Sequence, residues 1–134
     1  MRKFRNVLLS LALAFVFVLT LASCSKVSQS YADKINEAAK TEEKITYADA
    51  KDALGDECWD LTASGLTGFL YAVKGYKNTM TDEELYKKFS EADENTKFEV
   101  ILITVVAEKC LSANYFSGTG AEIEAKITDA LKLA

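Results

Sequence analysis

Apolar residues change their spacing repeatedly along this chain, and each change marks a boundary between elements. Val27, Tyr31, Ile35 and Ala38 or Ala39 recur at intervals of three and four, which predicts a first helix over about 28–43, with Ser30 and Asp33 as its N-cap arrangement. In ITYADAKDALG, Thr46 stands where an N-cap belongs and Asp49 follows three residues on. Gly55 is placed to close this second helix in a left-handed conformation, and Tyr47, Ala50 and Leu54 form its inner stripe.

Beyond Gly55 the period falls to two. Trp59, Leu61 and Ala63 share one side of CWDLTA, while Phe69, Tyr71 and Val73 oppose Leu66, Leu70 and Ala72 in LTGFLYAV. Ser64-Gly65 between them is a turn signal, so the two runs are expected to form a hairpin. TMTDEELYKKFSEAD restores helical spacing, with Thr81 and Glu84 as a capping box and Leu85, Phe89 and Ala92 on one face. KFEVILITVV is apolar at even and odd positions alike, as a central strand covered on both faces would be. After a tight turn around Glu108, CLSANYF places Leu111, Ala113 and Tyr115 on one face and Ser112 and Asn114 on a wetter one, as at a sheet edge. From about Gly120 a last helix carries Ile123, Ile127, Leu131 and Ala134, with Thr119 and Glu122 at its start. The expected fold class is α+β: N-terminal helices followed by a four-stranded antiparallel sheet, with an inserted helix and a C-terminal helix that covers the second face.

A different pattern precedes these elements. MRKFRN carries Arg2, Lys3 and Arg5 and no acid, and VLLSLALAFVFVLTLA follows with only Ser10 and Thr20 as polar interruptions. A basic start and an apolar run are the pattern of an export signal, and sixteen residues fall short of the ~20 that cross a bilayer. Leu21, Ala22, Ser23 and Cys24 then resemble a bacterial lipobox, which implies a diacylglyceryl group on the Cys24 thiol and removal of everything before it. Two acyl chains suffice for stable anchoring. The organisation expected is a signal peptide over 1–23, a lipidated cysteine and tether over 24–30, and one α+β domain over 31–134. Residues 31–43 are expected to be ordered and 25–28 not.

All twenty acidic residues follow Cys24 and three of the sixteen basic ones precede it, so the part from Cys24 onward has thirteen basic groups against twenty acidic ones, a net charge of −7. That sign disfavours nucleic acid, whose phosphates need a cationic footprint, and leaves no basic patch for anionic lipid. Histidine is absent, which removes the commonest neutral-pH base and metal ligand. Most acids sit on helical solvent faces, where Glu83 with Lys87 and Glu84 with Lys88 are spaced for mutual support. No glycine-rich phosphate loop appears. An enzyme is therefore not expected, nor a cofactor or metal.

Cys58 and Cys110 begin the first and fourth strands of the expected meander, hence lie on opposite edges. Three spacings of ~4.8 Å separate them by roughly 14 Å. A disulfide needs Cα atoms within ~7 Å, so two separate, packed thiols are expected.

ITYADAKDALGD resembles the helix signature of small bacterial lipoproteins of the BamE/SmpA type and of the related β-lactamase-inhibitor-protein-like domains. ILITVVAEKCLSANY is similar to the family's closing hairpin, and the likeness covers about residues 41–116. It implies two helices followed by an antiparallel meander. The helix near 81–92 and the C-terminal helix are departures from that pattern, and no functional residue carries over. Trp59, Phe69, Tyr71, Phe98, Tyr115 and Phe116 are expected mainly in the core, with an exposed subset open to a partner. The function expected is a non-catalytic module, lipid-anchored outside the cytoplasm to the cell membrane or outer membrane, that binds another extracytoplasmic protein. The alternative is a lipid-tethered receptor or carrier with an apolar pocket for a small molecule.

Overall fold

The computed structural model describes residues 26–132, apart from the side chain of Leu131. Its helices are α1 (Gln29–Ala39), α2 (Tyr47–Leu54), α3 (Asp82–Glu91) and α4 (Gly120–Lys132), and its strands are β1 (Cys58–Asp60), β2 (Gly68–Val73), β3 (Phe98–Val106) and β4 (Lys109–Gly118). The strands form one antiparallel sheet in the order β1-β2-β3-β4. The protein is thus mixed α+β, with helices on both sides of a four-stranded sheet.

Alternation along the strands sends two sets of apolar side chains in opposite directions. On the first face Leu70, Ala72, Ile101, Ile103, Val105 and Ala113 pack under α1 and α2, which contribute Tyr31, Ala32, Ile35, Ala50 and Leu54. On the second, Trp59, Phe69, Tyr71, Val73, Phe98, Val100 and Leu102 pack under α3 and α4 through Leu85, Phe89, Ile123 and Ile127. The doubly apolar β3 is central and buried on both sides, as its composition requires. Thr81 and Glu84 form the expected reciprocal capping box on α3. Thr119 and Glu122 exchange the equivalent pair of bonds at α4. Leu131's side chain and Ala134, expected on the α4 stripe, lie outside the described residues.

Helix α1 is shorter than its periodicity predicts, and its N-cap lies earlier. Ser28, not Ser30, is the N-cap, its Oγ accepting from the Tyr31 N–H at 3.2 Å. The far end stops at Ala39 rather than Glu43, because Thr41 Oγ1 donates to the Ala38 carbonyl at 2.7 Å and accepts from the Glu43 N–H at 3.0 Å. Those side-chain bonds compete with another helical turn. Val27, placed by expectation in an unordered tether, is only 2% exposed and belongs to the first-face core. Among the described residues the core therefore starts at Val27, four residues before the expected start at Tyr31.

Two strands also depart from their expected extents. β1 ends at Asp60, since its carboxylate turns back to accept from the Thr62 N–H at 2.9 Å and the Thr62 hydroxyl at 2.6 Å. In β4 a bulge pairs Thr104 with Ser112 and Val105 with Cys110, leaving Leu111 as the extra residue. The bulge moves Leu111 off the Ala113 face and leaves it 41% exposed. At Gly55 the φ of +61° is the positive value expected, but ψ is −135°, a mirror-image extended region open to glycine rather than the left-handed helical one.

At Ala113 the outer edge of β4 is covered by a side chain. Asn36 on α1 donates from Nδ2 to the Ala113 carbonyl at 2.8 Å and accepts the Ala113 N–H on Oδ1 at 2.9 Å, replacing the strand that an edge residue lacks. Asn36→Ala removes both partners at once. It is expected to cost about 2 kcal/mol in urea unfolding. A change within about 0.5 kcal/mol, typical of a plain surface substitution, would show that the pair contributes little.

Cys58 and Cys110 are free and buried, on the two outer strands. Burial pushes the Cys58 thiol up to about 12 and Cys110 up to about 11, so both pack as small apolar groups at neutral pH.

Candidate interaction surface

Both tight hairpin turns lie at the same end of the sheet. In the first, Ser64 and Gly65 have φ of 54° and 73°, and the Leu66 N–H closes the turn on the Ala63 carbonyl at 2.9 Å. In the second, Ala107 and Glu108 have φ of 52° and 68°. Two consecutive left-handed residues suit the twist of a hairpin, but outside glycine each costs ~1–2 kcal/mol. Neighbouring backbone holds the second turn in place. The Glu108 N–H donates to Leu66 O at 2.8 Å, the Tyr47 N–H to Glu108 O at 2.9 Å, and the Cys110 N–H to Ile45 O at 2.8 Å. The start of α2 and both turns are thereby laced into one rigid rim.

A polar cluster fastens α2 to the β1 side of this rim. The Tyr47 hydroxyl donates to the Asp60 carboxylate, and Lys51 Nζ reaches the same oxygen at 3.3 Å while lying 5.4 Å from the Tyr47 ring centroid. Burial pushes the Asp60 carboxyl upward, but hydrogen bonds from Thr62, Tyr47 and Lys51 outweigh it and hold the group at about 2. Its acceptor capacity is spent on structural partners, so the ionised Asp60 is a pin. A Cβ on Gly65 would stand 3.0 Å from the Tyr47 ring, so the turn glycine also makes room for the pin.

This end leaves three large apolar side chains in solvent, beside the exposed Glu108 and Lys109. Leu66 is 47% exposed, Val106 40% and Leu111 41%, and they are the exposed large hydrophobic residues of the described chain. Leu66 sits in the first turn, Val106 leads into the second, and Leu111 is the bulged residue just after it. Rigid backbone presenting an apolar group at a rim has the make-up of a contact surface.

The residues singled out from sequence fare unevenly here. Leu21, Ala22, Ser23 and Cys24 lie outside the described residues. Trp59, Phe69, Tyr71 and Phe98 are core, with Trp59 stacked on Tyr71 at 5.6 Å between centroids, and Tyr115 and Phe116 are half-buried. The exposed candidates are aliphatic instead. Alternation could not mark Leu111, because a bulge leaves no trace in an apolar-polar count. The alternation counts Leu66 with the strand, whereas its N–H closes the turn on Ala63. Of the charged pairs, Glu84 is used in the α3 cap, and Lys87 reaches Glu91 at 4.0 Å.

Between the end of α3 and the start of α4 lies a groove of about 730 Å³, rimmed by Asp93, Glu94, Lys97, Glu122 and Glu124. Among the described residues no group of three or more histidine, cysteine or acidic side chains is placed to hold a metal ion, and no helix is long and apolar enough to cross a membrane. No protein-family model, no curated protein and no solved structure matches this chain.

Proposed function

We propose that the chain is a lipid-anchored extracytoplasmic domain, fastened at Cys24, that binds another envelope protein through the rim formed by its two hairpin turns and catalyses nothing. The observation that carries the binding reading is the exposure of Leu66, Val106 and Leu111 together on the one end of the sheet whose backbone is strained and laced. Both faces of the sheet are occupied by the protein's own helices, which leaves this rim as the apolar surface for a partner. The order of two helices followed by a meander supports the resemblance to BamE/SmpA-type lipoproteins, in a version enlarged by α3 and α4. A carrier of small apolar molecules would need a cleft lined by apolar groups. The groove between α3 and α4 has Phe89, Ala92 and Ala121 in its lining, but four acids and Lys97 ring it, which suits solvated charge better than an apolar ligand.

The test is a crosslinked pull-down of the acylated protein from its own cells, comparing the native rim with a Leu66→Ser, Val106→Thr, Leu111→Thr variant. All three side chains are exposed, so the fold should survive with ~0.5 kcal/mol or less lost at each. Contact residues at the centre of an interface contribute ~2 kcal/mol or more, so capture of the partner is expected to fall at least tenfold. Undiminished capture of the same partner by the variant would place the binding surface elsewhere.

A further inference from the structure

We infer that the domain is held against the lipid surface by a tether of only three residues, so that the start of α1 rests at the headgroups instead of standing off on a flexible leash. The inference rests on the proposed acylation of Cys24 and goes beyond it. Its structural basis is the N-terminal boundary of the packed domain. Val27 is 2% exposed within the first-face core, and Ser28 is committed as the N-cap of α1. In sequence, three chain steps, from Cys24 through Ser25 and Lys26, separate the proposed lipid site from Val27. However these are arranged, a chain of three residues spans at most roughly 11 Å.

Helix α1 cannot readily lengthen that reach by fraying. Tyr31, Ala32 and Ile35 are 6%, 0% and 0% exposed, and Asn36 makes two hydrogen bonds to the backbone of Ala113 on β4. Releasing Val27 would also remove the residue that precedes the Ser28 cap. The anchor therefore bears on the sheet through a docked helix, and the exposed Gln29, Ser30 and Asp33 of its first turns become the residues nearest the bilayer.

The experiment places a fluorophore at Ser30→Cys, which is exposed, in full-length acylated protein; Cys58 and Cys110 are buried and Cys24 carries the lipid. The protein is reconstituted into phosphatidylcholine–phosphatidylglycerol vesicles containing a headgroup-labelled acceptor lipid. A second preparation carries a Gly-Ser insert of about twelve residues between Ser25 and Lys26, which adds roughly 20 Å of r.m.s. reach. Energy transfer is expected to be high with the native tether and to fall at least twofold with the insert. Equal transfer from the two, in preparations whose mass shows diacylglyceryl on Cys24, would overturn the inference while leaving the anchoring intact. A mass showing no lipid on Cys24 would instead remove the anchoring proposal, and this inference with it.

Discussion

A Gly120→Ala protein is expected to lose about 3 kcal/mol of folding stability, the upper end of what added carbon ordinarily costs in a packed core. Gly120 is the first residue of α4, and a Cβ there would overlap the carbonyl of Phe89 on α3, lying 2.7 Å from its carbonyl carbon. The obstacle is backbone, so no rotamer change removes it. Nor can either helix move away freely. Phe89 is 1% exposed and packs edge-on against Phe98 at 5.0 Å between centroids, and α4 is seated by Ile123 and Ile127, both fully buried. Separating the helices would open the second face of the sheet along its length. For a domain of this size the loss corresponds to a fall in Tm of roughly 10–20 °C. Gly118→Ala is the matched control, because the group it meets, Glu122 Oε1 at 2.7 Å, is the end of a flexible side chain; its cost should stay near the ~1 kcal/mol of a disturbed cap. Calorimetry on the pair decides it. Equal midpoints for Gly120→Ala and the native protein would mean that α3 and α4 are not in the close contact described.

Cys24→Ala is expected to act on processing and not on folding, and its effect is all or none. Residue 24 lies outside the described residues, whose core starts at Val27, and the change is expected to leave that core intact. Without the thiol no diacylglyceryl group can be attached. A signal whose removal requires that group then stays in place, and the protein accumulates as a precursor that retains residues 1–23, while its urea midpoint, measured on the domain released from the membrane, is unchanged. Electrophoretic mobility of the variant beside the native protein reads the outcome. A variant cut to the native mature length and still held at the membrane would show that the cysteine is incidental.

Local signals in this chain agree with the fold at several elements defined by their own side chains, though not at the ends of α1, where Ser28 and Thr41 set the limits, nor at the end of β1, where Asp60 turns to Thr62. The Thr81–Glu84 box, the Thr46 cap, the Ser64-Gly65 turn and the doubly apolar β3 could be read directly, because each rests on residues within a few positions of one another. Features that depend on distant partners could not. The bulge at Leu111 arises from the register between β3 and β4. Asn36 looks like any polar helix residue until Ala113, far along the chain, is placed beside it. Val27 and Ser28 were readable in principle. Val27 fits the α1 stripe, but its nearness to a polar tether outweighed that periodicity, and Ser30 obscured Ser28 as the cap. The candidate rim was the least legible part, since exposure of Leu66, Val106 and Leu111 follows from where two turns meet and not from any motif.

The claim on which anchoring, apposition and partner choice all depend is the chemistry at Cys24, and the intact mass of the protein extracted from its own membranes, with fragmentation of its N-terminal peptide, tests it most directly. A chain that begins at Cys24 and carries a diacylglyceryl thioether on that sulfur is the predicted result. An N-terminal peptide that starts at another residue, or that contains Cys24 as an unmodified thiol, would contradict it.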